Sequence, residues 1–227
     1  MEYLREGVFR GRYAPGQRLV EADLTAELGV SRSLLREAFH RLAAEGTIEL
    51  VPNRGALVRR MSLTDATELF DIRMELEALA ARRAARNAAD RSVRRTFLAD
   101  TAFIYDDMAR LSASAYIMEN QRFHGAMFVA ADNRQLIELN MRLQLSLIMA
   151  QISSAITPDV IATSLAEHRA IAEAIAAVDE EAADAAIRAH LARAKDMIVA
   201  MPAEAFRRDP NELASLPRAE ATRKPEA

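Results

Sequence analysis

Cysteine is absent from the 227-residue chain, so neither a disulfide frame nor a zinc–thiolate site can form. Tryptophan is absent too, and aromatic residues make up only 5%, which leaves the core to aliphatic side chains. Glycine and proline number seven each, and six of the glycines precede residue 60. Beyond that point little interrupts a helix. No apolar run approaches the roughly 20 residues of a membrane span, and the N-terminus lacks a signal-peptide pattern. The expectation is a cytoplasmic protein without a membrane partner. Charge of one sign is lacking as well, the net being −3. The balance is uneven: residues 1–60 hold ten arginines against eight acidic residues, and the remainder has five more acids than bases. A mildly basic head on an acidic body is compatible with nucleic-acid binding by the head, but the excess alone does not establish it.

What the chain has in abundance is alanine, leucine, arginine and glutamate, a helix-forming mixture. Residues 2–10 suit a helix that Gly7 weakens, and Pro15-Gly16 breaks the chain. Val20 to Leu28 suits a second helix, with Ala22, Leu24 and Leu28 on its apolar face. Gly29 ends it in the left-handed conformation, and Ser31 caps a third. Residues 47–51 and 56–60 then read as two short strands around a glycine-bearing turn, a hairpin. Three helices and a hairpin in 60 residues make a small winged helix-turn-helix. From Ser62, which with Asp65 resembles a capping box, the pattern becomes wholly helical: to about Asn87, then 91–112, 114–131, 134–156, 159–178 and 180–200. The expected fold is therefore mainly α: a winged helix-turn-helix over residues 1–60, then an all-α antiparallel bundle of about six helices over 62–200. Residues 201–227, rich in proline, glutamate and arginine, are expected to be a flexible tail.

The third helix poses the functional question. At about 100° per residue, with Arg32 as zero, Leu34, Leu35, Ala38, Phe39 and Leu42 fall between roughly 200° and 340°, a stripe expected to be buried. Arg32, Ser33, Arg36 and His40 lie nearly opposite. In a helix-turn-helix the second helix of the motif enters the major groove, where arginine reads guanine bidentately. Ser31 and Ser33 are placed to donate to phosphate, at a helix N-terminus that itself attracts anions. Arg18, just before the second helix, is placed for the backbone. Asn53, Arg54 and Gly55 form the hairpin tip, and Arg54 reaches the minor groove or the backbone. The competing reading is a solvated face, its arginines paired with Glu37 and Glu45. The order of helix, glycine turn, arginine helix and arginine-tipped hairpin favours DNA.

The pattern Pro15-Gly16-x-x-Leu19, Leu24-x-x-x-Leu28-Gly29-Val30-Ser31-Arg32, Arg36-Glu37-Ala38-x-x-x-Leu42-x-x-x-Gly46, Gly55-x-x-Val58 resembles the winged helix of GntR-type transcription factors. The residues after Ser62 are similar to the FCD ligand-binding domain of the FadR branch. Ser33-Leu34 departs from the proline-valine often found there. The resemblance implies a homodimeric regulator, most often a repressor, that reads an inverted-repeat operator in double-stranded DNA and whose affinity a small metabolite changes.

Three of the four histidines, His124, His168 and His190, sit on three separate predicted helices of the body. They are open to two readings: hydrogen-bonded core residues, or imidazoles converging on a metal as bundles allow. The resemblance implies the second, since many FCD domains hold a divalent metal with an aspartate four residues before a Phe-His pair and two later histidines. Here Asn120 stands at the aspartate position, so zinc, nickel and manganese all remain open. The resemblance also places Arg73 near the effector pocket, where a guanidinium suits a carboxylate. An ion pair with Glu77 is the alternative. The rival class, a metal-dependent enzyme with a DNA-binding head, lacks a general base in a motif such as H-E-x-x-H. No catalytic residue is assigned.

Overall fold

The computed structural model describes residues 1–9, 11–51, 55–106, 112–143 and 145–207. Its head runs α1 (Glu2–Phe9), β1 (Arg18–Leu19), α2 (Glu21–Leu28), α3 (Arg32–Ala44), β2 (Ile48–Val51) and β3 (Gly55–Val58). Gly7 has a packing reason to lack a side chain: a Cβ there would stand 2.4 Å from the Tyr13 ring. Gly29 ends α2 at φ 63°, and the Ser31 hydroxyl accepts the Leu34 amide at 3.3 Å to start α3. The wing is a three-stranded antiparallel sheet of order β1-β3-β2, in which Leu57 pairs with Arg18 on one side and Glu49 on the other. Strand β1 went unread in the sequence because two residues show no alternation.

Two expectations about the head are corrected. Leu34 is 54% exposed, whereas Leu35, Phe39 and Leu42 are buried. The buried stripe is narrower than the apolar one, because Leu34 sits about 100° round the helix from Leu35. Ala22 is exposed too, which leaves Leu24 as the buried anchor of α2.

The body begins at a full capping box: Ser62 Oγ accepts the Asp65 amide and Asp65 accepts the Ser62 amide, both at 3.0 Å. It comprises α4 (Leu63–Asn87), α5 (Arg91–Asp100), α6 (Ala113–Ala130), α7 (Arg134–Arg142), α8 (Leu145–Gln151), α9 (Pro158–Ala176) and α10 (Glu180–Val199). Among the described residues that makes seven α-helices rather than about six. The helix expected over 134–156 is split into α7, α8 and a 3-10 turn at Ser153–Ala155. The one expected over 91–112 stops at Asp100, where buried Thr101 turns its hydroxyl back to the Phe97 carbonyl at 2.8 Å. Helix α4 is central. Its fully buried alanines 78, 80, 81, 84 and 85 let α6, α9 and α10 approach closely, which is why the chain uses so much alanine.

Head and body are tied at the end of the wing. Gln151 of α8 accepts the Met61 amide at 2.9 Å and donates to the carbonyls of Met61 and Ala205, each at 3.1 Å. The chain after α10 returns to this junction: Phe206 is buried, the Arg207 amide bonds to the Met61 carbonyl, and Arg60 donates to the carbonyls of Glu204 and Ala205. The first part of the expected flexible tail is thus packed through Arg207. Residues 208–227 lie outside the described residues.

Candidate metal and effector site with a DNA-facing helix

The three body histidines are brought together. His124 comes from α6, His168 from α9 and His190 from α10, with ring centroids 5.2, 5.3 and 4.7 Å apart. All three are buried, and one nitrogen of each lies within 4.8 Å of the others. Nε2 of His124 and of His168 has no hydrogen-bond partner despite full burial. Unpaired buried polar atoms are uncommon, and two beside a third imidazole suit a cation held between them.

Protonation points the same way. Burial, then the neighbouring His190 and His124, pushes His168 well below its ordinary value. Burial also pushes His190 down to about 4, even though Glu167 acts in the opposite direction. Neutral imidazole is the form that ligates a metal. Two carboxylates stand behind the rings, as ligand-supporting groups usually do. Glu167 lies 2.7 Å from His190 Nδ1 and also takes a bidentate pair of bonds from Arg193. Burial would raise Glu167, but the bonds from His190 and Arg193 outweigh it and hold the acid at about 2. Glu77, with no exposed surface, places Oε2 2.6 Å from His124 Nδ1, close but not aligned as a hydrogen bond. The donor set therefore fits a divalent metal.

Arg73 realises its ion-pair reading and lines a cavity as well. Its Nε donates to Glu77 Oε1 at 2.8 Å, its guanidinium lies 4.6 Å from the centre of the Phe70 ring, and it lines a cavity with Asn120 and Met149. Burial opposes ionisation of Glu77, yet Arg73 and His124 overcome it and hold the carboxyl at about 2. One buried carboxylate thus joins the candidate effector arginine to a candidate metal ligand. Asn120, one turn before His124 on α6, is also buried, with Oδ1 3.4 Å from the Tyr116 hydroxyl, which in turn lies 2.6 Å from Ser164 Oγ.

Sequence reasoning found the histidines but missed Glu167, Arg193 and Tyr116 and gave Glu77 only as a partner of Arg73. Glu77 lies four residues after Arg73, so its first contact was legible. Its contact with His124 and that of Glu167 with His190 cross between helices, and no spacing encodes them.

On the opposite module, Arg32, Ser33 and Arg36 are exposed on the first turns of α3. Arg36 Nε lies 3.0 Å from both oxygens of Glu21 on α2. Ser31 is engaged as a cap and lies 3.0 Å from Ser33 Oγ. Arg18 is exposed on β1, and Gly55 opens β3 at φ 77°. Asn53 and Arg54 lie outside the described residues. Glu37 pairs with Arg41 at 2.6 Å and Glu45 with Arg5 at 2.7 Å. The carboxylates able to neutralise the exposed arginines of α3 are therefore occupied elsewhere, apart from Glu21.

Comparison with known proteins supplies the remaining observation. Residues 68–193 match the FCD domain, and residues 1–58 match bacterial regulatory proteins of the gntR family. The chain is 33% identical over 189 residues to a protein of Paenarthrobacter nicotinovorans named as a D-xylose utilization operon transcriptional repressor, covering 82% of this chain and 80% of that one. It is 31% identical over 126 residues to the Nta operon transcriptional regulator of Aminobacter aminovorans, a match spanning 56% of this chain and 59% of the relative. Among solved structures, a GntR transcriptional regulator from Rhodococcus sp. RHA1 superposes with a TM-score of 0.73 at 26% identity, covering 88% of this chain and 96% of the other.

Proposed function

The chain belongs to the gntR family of bacterial regulatory proteins and carries an FCD domain, and from that premise we propose that it is a metal-dependent, metabolite-responsive repressor. Its relatives are regulators of transcription, repressors among them, so the enzyme alternative is set aside. Residues 1–60 act as the DNA-binding domain and 62–200 as the effector domain. Helix α3 enters the major groove. Arg32 and Arg36 face base edges, Arg18, Ser31 and Ser33 hold the backbone, and the wing residues Asn53, Arg54 and Gly55 meet the neighbouring minor groove or the backbone. Two copies bind an inverted repeat, since a symmetric dimer matches a symmetric site. The setting is the cytoplasm.

In the body, His124, His168 and His190 hold a divalent metal (zinc, nickel or manganese), with Asn120 offering an amide oxygen. A cation there supplies charge for a carboxylate effector, and Arg73 orients that carboxylate. Allosteric coupling is typically 1–3 kcal/mol, so effector should change operator affinity by roughly 5- to 150-fold. The observation that carries this reading is the pair of buried, unpartnered Nε2 atoms beside a third buried imidazole.

Native mass spectrometry of untagged protein purified without chelators tests it. One metal per chain in a dimer is expected. Glu167→Ala, which removes the carboxylate behind His190, should weaken metal binding about 10- to 100-fold. A dimer that stays bare after incubation with zinc, nickel or manganese would reduce the histidines to pocket-lining residues.

A further inference from the structure

A second, larger cavity shares Arg73, Asn120 and Met149 with the first. A cleft of about 860 Å³ is lined by Arg73, Asn120, His124 and Asn140 of the body and by Glu45 and Thr47 of the head. Glu45 is the residue that closes α3, and Thr47 follows one residue after Gly46. The helix whose first turns face DNA therefore ends in the same cleft that reaches the metal and effector side chains.

The two ends of the cleft differ in charge. At the body end stands Arg73, already paired with Glu77, beside the histidine cluster, where a bound cation would add positive charge. At the head end α3 presents its carbonyl terminus, the negative pole of the helix dipole, together with Glu45. Arg5, which lines the cleft as well, is one guanidinium shared between Glu45, at 2.7 and 2.8 Å, and Glu2, at 2.5 Å. That end therefore disfavours a second acid group. Arg142 also lines the cleft, but it is exposed, and water screens its charge. In the lining of the cleft, Asn140 Oδ1 is buried without a hydrogen-bond partner, an acceptor left open for a donor.

We propose that the C-terminal end of α3 is part of the effector site. On this view the effector is a monocarboxylate whose acid end meets Arg73 and the histidine cluster and whose far end carries hydrogen-bond donors that meet Asn140, Glu45 and Thr47. The inference rests on the effector reading above and adds how the signal reaches DNA. A ligand shifts a conformational equilibrium only through differential contact with its states. One that touches α3 directly is sensitive to where that helix lies, and α3, 13 residues long, spans about 20 Å to its DNA-facing turns.

Isothermal titration of the full-length protein equilibrated with zinc tests this with three six-carbon probes. Gluconate has one acid and hydroxyl donors, hexanoate has the acid without donors, and glucarate has a second acid. Gluconate should bind at least tenfold tighter than either. Thr47→Val, which keeps the shape of a buried side chain, and Glu45→Gln should each erase that advantage. Arg41→Ala on the same helix, whose partner is Glu37, should not. Gluconate binding that is lost in Arg73→Lys but unchanged in both head variants would overturn the role of α3 and leave the effector site standing. Equal binding of hexanoate or glucarate would overturn the ligand class. Binding of none of the three would overturn the carboxylate reading and this inference together.

Discussion

Glu77→Ala is expected to lower the stability of the fold by about 3–5 kcal/mol, because it removes one member of a buried charge group and leaves the others behind. Glu77 is wholly buried and accepts from Arg73, itself 3% exposed, while His124 stands 2.6 Å away. A guanidinium stripped of its carboxylate in that interior must find water or distort the packing of α4 against its neighbours. For a chain of this size the melting temperature should fall by roughly 6–20 °C. Glu77→Gln keeps an acceptor for Arg73 but not the charge, so it should fall between wild type and alanine. Thermal and urea unfolding of the three proteins side by side decide the matter. Values within 1 kcal/mol of one another would mean that Arg73 is satisfied from the cleft and that Glu77 is dispensable.

The second large effect concerns DNA. Loss of a bidentate arginine–guanine contact costs about 1–3 kcal/mol, so Arg32→Ala or Arg36→Ala should weaken operator binding roughly 5- to 150-fold, and both together on the order of a thousand-fold. Arg36→Ala should be the worse of the two. Its partner in the free protein is Glu21, and without the arginine that carboxylate faces the duplex uncompensated. Both side chains are exposed, so melting temperatures should stay close to wild type, which separates lost recognition from lost fold. The measurement is a titration at fixed salt against an operator selected from random duplexes by the wild-type protein, since affinity for DNA is meaningful only at a stated ionic strength. Wild-type affinity in both variants would remove α3 from the role of reader.

What was legible in the chain follows a simple physical division. Local chemistry spoke for itself. Gly29 takes the left-handed conformation where α2 ends, Ser31, Asn133, Thr157 and Asp179 cap helices α3, α7, α9 and α10, and Ser62 with Asp65 forms a capping box. Each of these depends on atoms within four residues of one another. Breaks with no local cause were not legible. Nothing between Arg134 and Ile156 is proline or glycine, yet α7 ends at Arg142 and a separate helix, α8, carries Gln151 to the Met61 backbone.

The same division runs through the sites. Sequence by itself determined the winged helix-turn-helix, the helical body and the side chains that could bear chemistry, because helix periodicity and turn residues act over a few residues. Only the tertiary structure decided that Leu34 faces outward, that Glu77 and Glu167 stand behind two of the three histidines, and that α3 ends in the cleft beside Arg73. Those contacts join residues 23 and 47 positions apart, or separate modules. They are set by how helices pack against α4, which depends on the shape of the whole interior rather than on any stretch of the chain.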